Sequence, residues 1–284
     1  VFLVTDGVEE GSESWDALTG RLVANVQISE GAMAFFTYST GYKSGGFDSL
    51  SIVTKDDPLD PEIVENIEFG VKGDFFENTI RTQVSVFYST IDGRQEVVES
   101  LQPGAAAARP SIVNADEEIT GFEITLDWVP YDGFRMGVVY SERKNERQRE
   151  PYFDNQGDFR TGDGVNASAP KDYTITMDWS VPFPVGGLYF HADYIFKDNI
   201  NREDEEHIAA FNDIPGYAED TKLVNARLVW VAESGKYEIG MYGKNLDNDD
   251  SFGVPTGLLG GITGDYVAQP EEETSYGLDL KWVF

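Results

Sequence analysis

"TIRTQVSVFYST", residues 79–90, puts Ile80, Val84, Val86 and Tyr88 on one side and Arg81, Gln83, Ser85 and Ser89 on the other, with Phe87 as the exception. A side-chain period of two over this length is the mark of a β-strand with one apolar and one wet face. The pattern recurs. "EITGFEITLDW" (118–128) sets Phe122, Ile124, Leu126 and Trp128 against Gly121, Glu123, Thr125 and Asp127. "DYTITMDWSV" (172–181), "GLYFHADYIF" (187–196) and "TSYGLDLKWVF" (274–284) alternate in the same way. The alternation predicts about eleven strands, near 16–28, 32–43, 63–74, 79–92, 113–129, 134–146, 170–181, 187–198, 220–232, 236–246 and 272–284.

The connections take turns in length. Short ones contain "SEG" (29–31), "FEN" (76–78), "YDG" (131–133), "FPVGG" (183–187) and "ESG" (233–235). Long ones are predicted at 44–62, 93–112, 147–169, 199–219 and 247–271. Successive hairpins therefore have their tight turns at one end and their long loops at the other. The strands exceed the five or six residues usual in soluble sandwiches and match the roughly nine to eleven of a tilted membrane-spanning strand. Tyr, Trp and Phe gather near the strand ends, where an aromatic girdle meets the membrane interface. In hydrocarbon every backbone group must be paired internally, so such strands require a closed barrel. The competing architecture is a soluble all-β sandwich or propeller, whose strands would be shorter.

The composition narrows the partners. Twenty-one Lys and Arg against 51 Asp and Glu give a net charge of −30, which repels phosphates and excludes nucleic acid as a partner. An aromatic share of 13% and a hydrophobic share of 40% argue against disorder. There are no cysteines, hence no disulfide, thiolate metal site or cysteine nucleophile. No apolar run reaches the ~18 residues of a membrane helix. The opening "VFLVTDGVEEGSE" lacks the basic and apolar regions of a signal peptide and an initiating Met, so a fragment or a processed chain is expected.

"GYKSGGFDS" (41–49) matches neither phosphate-loop spacing and is followed by no helix, so its glycines read as a bend where a strand leaves the sheet. In context the stretch carries a resemblance. "FFTYSTGYKSGGFDS" is similar to a strand-end signature of TonB-dependent outer-membrane receptors, with Asp48 where Asn is usual. "LDPEIVENIEFGVKGDFFENTIRTQVSVFYSTIDGRQ" resembles that family's next hairpin through Pro61, Glu62, Glu68, Gly70 and Lys72. "VNADEEITGFEITLDWVP" resembles the following long strand through Asn114, Ala115, Gly121, Phe122 and Glu123. "YGKNLDNDDSF" resembles the penultimate strand, and the chain ends in Phe284, as outer-membrane barrels usually do.

The resemblance implies an all-β, antiparallel transmembrane β-barrel. Residues 1–284 would form the C-terminal half of the 22 strands of a plugged transporter, with the plug and the first strands absent from this chain. It also implies a binding and gating protein of the Gram-negative outer membrane, not an enzyme. Its cargo would be a scarce small-molecule nutrient, foremost a ferric siderophore or similar iron chelate. Its partners would be the TonB–ExbB–ExbD system, acting through the plug, with outer-membrane lipid and lipopolysaccharide around the barrel. TonB-dependent uptake of an oligosaccharide or cobalamin, and a passive porin, are the alternatives.

Strand parity alone nominates lumen-facing candidates: Arg81, Gln83, Glu123, Asp127, Arg135, Asp193, Asn225 and Arg227. Lys43 and Phe47 are candidates at the rim. His191 lies on a polar strand face and His207 in a loop, and neither is in a pattern that calls for catalysis. No cofactor is expected. The acidic runs "REDEEH" (202–207) and "DNDD" (247–250) offer Asp204, Glu205, Asp247 and Asp249 as Ca²⁺ ligands, without the spacing of an EF-hand. The net negative charge would favour cationic, neutral or metal-loaded cargo through long-range attraction.

Overall fold

The computed structural model describes residues 12–47, 58–101, 103, 109–154, 156–163, 170–198, 220–251 and 273–283. Among these the only regular elements are β-strands, in one antiparallel sheet. In chain order they are β1 (Arg21–Ser29), β2 (Ala32–Lys43), β3 (Glu62–Phe75), β4 (Ile80–Ser100), β5 (Arg109–Tyr131), β6 (Phe134–Phe153), β7 (Phe159–Asp163), β8 (Lys171–Phe183), β9 (Gly186–Lys197), β10 (Thr221–Ala232), β11 (Tyr237–Lys244) and β12 (Ser275–Trp282). Each pairs with the next along the chain, except that β7 adds to β6 beyond the stretch where β6 meets β8. β1 and β12 end the path.

The eleven strands of this path match the sequence expectation in place and order. The boundaries of four do not, β1 beginning at Arg21 rather than near 16. β4, β5 and β6 run to 21, 23 and 20 residues and take in much of the predicted loops 93–112 and 147–169, and β7 is a further strand. The reason is physical. The reach of β6 beyond 146, beginning "RQRE" at 147–150, is polar on both faces, and in β4 Val97 and Val98 are adjacent rather than alternating, so the apolar alternation by which a half-buried strand is recognised is missing. The tight turns need left-handed backbone, which Gly133 (φ 91°) and Asn78 (φ 65°) supply.

One face of the sheet is apolar and exposed. Ile67, Phe69, Val84, Val86, Leu278 and Leu280 stand on it without a covering layer. It carries aromatic side chains at two levels. At the tight-turn end lie Trp128 against Phe134, Trp179, and Tyr237 stacked on Trp282. Further along, Phe122, Tyr140, Tyr173 and Phe196 form a continuous stack across β5, β6, β8 and β9. From Tyr173 to Phe183, at ~3.3 Å per residue, is roughly 33 Å along the strand, or about 25 Å along the normal at a ~40° tilt. That is the height of a barrel's lipid-facing band. The apolar face is therefore the lipid face, and the long strands rise past the outer aromatic belt into water.

On the opposite face glycines make room for aromatic rings. A Cβ at Gly121 would lie 2.6 Å from Phe87 Cζ, and Phe35 covers Gly70 and Tyr242 covers Gly277 in the same manner. This explains why Phe87 breaks the alternation of its strand: it lies flat across its register partner Gly121.

Candidate functional site

Most of the lumen candidates form one ladder of alternating charge near the tight-turn end. Arg81 sits between Asp74 of β3 and Asp127 of β5 in the register and donates from Nε to Asp74 Oδ1 at 2.7 Å. Asp127 accepts a two-pronged bond from Arg135, from Nε at 2.7 Å and Nη2 at 2.9 Å. Arg135 faces Asp178, which faces His191, which faces Arg227. His191 Nδ1 lies 2.7 Å from Asp178 Oδ1, and its Nε2 lies 3.6 Å from Asp193. Asn225 donates to Asp193 at 2.8 Å, and Arg227 pairs with Asp279 of β12 at 2.6 Å. A recess of about 360 Å³ lies along this ladder, walled in part by Arg135, Asp178, Tyr189, His191 and Arg227.

The remaining two lumen candidates stand apart from the chain of pairs. Gln83 lies between Lys72 and Thr125 in the register, and Glu123 lies between Ser85 and Ser141. At the rim, Lys43 is tied to Glu62 by a 2.7 Å ion pair, and Phe47 packs edge-on against Trp15. Gly45 lies directly under Trp15, so a side chain there would collide with the indole.

Asp249 turns its carboxylate inward: it accepts from the backbone N–H groups of Lys222 and Ser251 and from the Ser251 hydroxyl. Asp247 is in the same tight loop, where Asn245 bonds both the N–H and the carbonyl of Asp249. Among the described residues no three His, Asp or Glu side chains converge as a metal site would require. Asp204, Glu205 and His207, like Asp48 and Phe284, lie outside the described residues.

The landmark residues of the sequence meet in one knot above the outer belt. Asn114 of β5 accepts from the N–H of Asp60 at 3.0 Å and donates to the carbonyls of Asp60 and Gly93 at 3.2 Å and 2.5 Å. Gly93 sits in a bulge of β4 with φ 71°, a conformation that costs glycine little. The following residue but one, Gln95, donates its N–H to Glu62 at 2.9 Å and its side-chain amide to the carbonyls of Ser44 and Asp60 at 3.0 Å and 3.1 Å. The "KSG", "DPE", "GRQ" and "VNA" stretches thus lock β2, β3, β4 and β5 together where they leave the membrane.

Beside the knot, on the lumen face of β4–β6, lies an ionic cluster that parity reasoning missed. Glu117 has a fully buried side chain and accepts from Asn145 at 2.9 Å, Arg147 at 3.0 Å, and Arg94. Glu96 accepts from Arg147 at 3.1 Å and from Arg149 at 3.1 Å and 2.9 Å. Burial pushes both carboxyls up, but Arg149, Arg147 and Arg94 around Glu96, and Asn145, Arg147 and Arg94 around Glu117, hold both below the ordinary glutamate range. The signal is Arg143, Asn145, Arg147 and Arg149 at alternate positions, the first two at the end of the predicted strand 134–146 and the last two in the predicted loop 147–169. On the opposite face of these strands the Asp92 carboxyl is pushed up by burial and by Asp116 and Asp60.

Comparison with known proteins agrees with this architecture. The family profile described as "TonB dependent receptor-like, beta-barrel" matches residues 3–246. The ferric yersiniabactin uptake receptor FyuA of Yersinia pestis superposes with a TM-score of 0.69 at 16% identity, over 94% of this chain and 37% of its own. The ferric preacinetobactin receptor BauA of Acinetobacter baumannii gives 0.61 at 13%, over 93% and 36%. The copper transporter OprC gives 0.59 at 11%, over 94% and 39%. The chain therefore spans little more than a third of the length of these solved relatives. Identities this low speak for the fold alone. With the profile covering most of its length, the chain belongs to the TonB-dependent receptor β-barrel family, a family of outer-membrane receptors and transporters.

Proposed function

We propose that this chain is the C-terminal part of the barrel of an outer-membrane receptor that takes up a ferric siderophore or similar iron chelate, energised by TonB. The observation that carries the reading is the pairing of an apolar lipid face with a charged lumen face that continues above the outer belt on β4, β5 and β6. FyuA and BauA, two relatives in fold, are ferric siderophore receptors. In this reading the cluster around Glu96 and Glu117 lines the outer vestibule that cargo enters, and the ladder from Asp74 to Asp279 faces the plug and water. TonB, with ExbB and ExbD, acts through the plug, while lipid and lipopolysaccharide contact the aromatic belts. The protein binds and gates without making or breaking covalent bonds.

The test is growth and radiolabelled uptake in a strain lacking the gene, compared across ferric chelates, cobalamin and oligosaccharides under iron limitation. The reading requires loss of uptake of at least one ferric chelate and restoration by the full-length gene. Unchanged iron uptake with loss of a saccharide would overturn it.

A further inference from the structure

We propose that His191 and Asp193 form an open two-ligand site for a divalent transition-metal ion of the Zn²⁺ or Ni²⁺ kind, on the lumen wall near the tight-turn end. This goes beyond the receptor reading and holds whatever the cargo is.

The first argument is placement. The two residues lie two apart on β9, so their side chains leave the same face of the strand. Both are open to the lumen, with side chains 47% and 19% exposed. An imidazole nitrogen and a carboxylate oxygen are ligands that zinc and its neighbours in the first transition row accept.

The second argument is distance. His191 Nε2 lies 3.6 Å from Asp193 Oδ1, too far for a hydrogen bond. An ion bonded to both atoms at ~2.1 Å spans that gap with an angle of about 118°, close to tetrahedral.

The third argument is the support behind each ligand. His191 Nδ1 lies 2.7 Å from Asp178 Oδ1. A proton on Nδ1 donated to that carboxylate leaves the lone pair on Nε2, the nitrogen beside Asp193. A carboxylate behind the far ring nitrogen is the usual way in which a metal-binding histidine is oriented. Asp193 Oδ2 accepts from Asn225 at 2.8 Å, and Asn225 in turn accepts from the N–H of Asn245 at 3.0 Å. Oδ1 is left for the ion.

The fourth argument is charge. Arg135 is bonded to Asp127, and Arg227 reaches past Gly240 to Asp279. Among the described residues the hydrogen-bond and ion-pair partners of Asp178 and Asp193 are His191 and Asn225, not an arginine. Two carboxylates around a neutral imidazole attract a dication. No third acidic or histidine ligand converges on the pair, so water fills the other positions and the ion exchanges freely.

The experiment uses the full-length receptor in detergent. Carbethoxylation of individual histidines by diethyl pyrocarbonate is followed by peptide mass spectrometry with Zn²⁺, Ni²⁺, Mg²⁺ or EDTA at matched ionic strength. Zn²⁺ or Ni²⁺ is expected to slow modification of His191 at least fivefold relative to EDTA. Mg²⁺ should match EDTA, because a hard ion keeps to oxygen ligands. Asp193→Asn should remove most of the protection. Asp178→Asn should raise the Zn²⁺ concentration for half-protection about tenfold to a hundredfold. Heat-modifiable migration on gels checks that each variant is folded. Equal modification of His191 with Zn²⁺, Ni²⁺ and EDTA overturns the proposal, as does equal protection by Mg²⁺, which reports screening alone. Protection that survives Asp193→Asn overturns the pairing.

Discussion

Glu117 and Arg147 face each other across β5 and β6, 3.0 Å apart, with their side chains 0% and 2% exposed, in a part of the sheet that stands in water. A closed ion pair at that position ties three long strands together without a hydrophobic core. Removing one partner of a buried pair strands the other as an uncompensated charge, at a cost of about 3–5 kcal/mol. Glu117→Ala is therefore expected to loosen β4–β6 above the outer belt. Hydrogen exchange should rise at residues 91–97, 113–119 and 143–149, while the strands within the lipid band stay protected.

The same cluster sets a pH dependence. Glu96 and Glu117 lie below their ordinary range when folded, so their contribution is complete above the unfolded value of about 4.3 and is lost as pH falls through the folded values. Exchange protection of these extensions should decline below about pH 4. Constant protection down to pH 2 would contradict this.

Asp92 has the opposite sign. Its carboxyl is raised by burial and the neighbouring Asp116 and Asp60, so ionising it weakens the folded state as pH rises above about 3.9. Asp92→Asn should stabilise the rim at pH 7 and make no difference at pH 3, as read by protease nicking near the Gly93 bulge.

Phe87 and Gly121 form a lock of another kind. Gly121→Val would drive a side chain into the Phe87 ring, and overpacking of this sort costs roughly 1–3 kcal/mol. Phe87→Ala in the same protein should recover the part of the loss due to the ring, and leave the part due to the Glu142 carbonyl, which would lie 2.5 Å from the same Cβ. A heat-modifiability series on gels, comparing both single variants with the double, measures the coupling; simple additivity would count against it.

The belts fix the depth of the barrel. Trp128, Trp179, Trp230 and Trp282 stand on the lipid face at the tight-turn end, whereas Trp15 packs on Phe47 at the opposite rim. In vesicles of lipids brominated near the headgroup, the first four are expected to be quenched. Trp15→Phe should leave the quenched intensity unchanged, and a fall in that component would move the rim into the bilayer.

Legibility in the sequence followed the solvent on each side of a strand. Residues 79–90 and 172–181 alternate because one face meets lipid and the other water, so their strands and parity can be read directly, and Arg81, Asp127, Arg135 and Arg227 share the face opposite the apolar one. Arg94 and Arg147 fall in stretches that read as loops because a strand wet on both sides has no apolar alternation, whereas Glu117 lies within the predicted strand 113–129 and is told from other polar residues only by the arginines that reach it from β4 and β6. The knot around Asn114 was legible only as a set of familiar letters. Its reason, a side-chain amide bridging the backbones of Asp60 and Gly93, needs residues far apart in sequence to meet.

The ladder from Asp74 to Asp279 has a consequence for anything that moves past it. Five aspartates, Asp74, Asp127, Asp178, Asp193 and Asp279, stand against three arginines, Arg81, Arg135 and Arg227, so this wall keeps a surplus of negative charge although each arginine is bonded to an aspartate. A mobile cation beside it is drawn in and a mobile anion is turned away, and added salt weakens both effects.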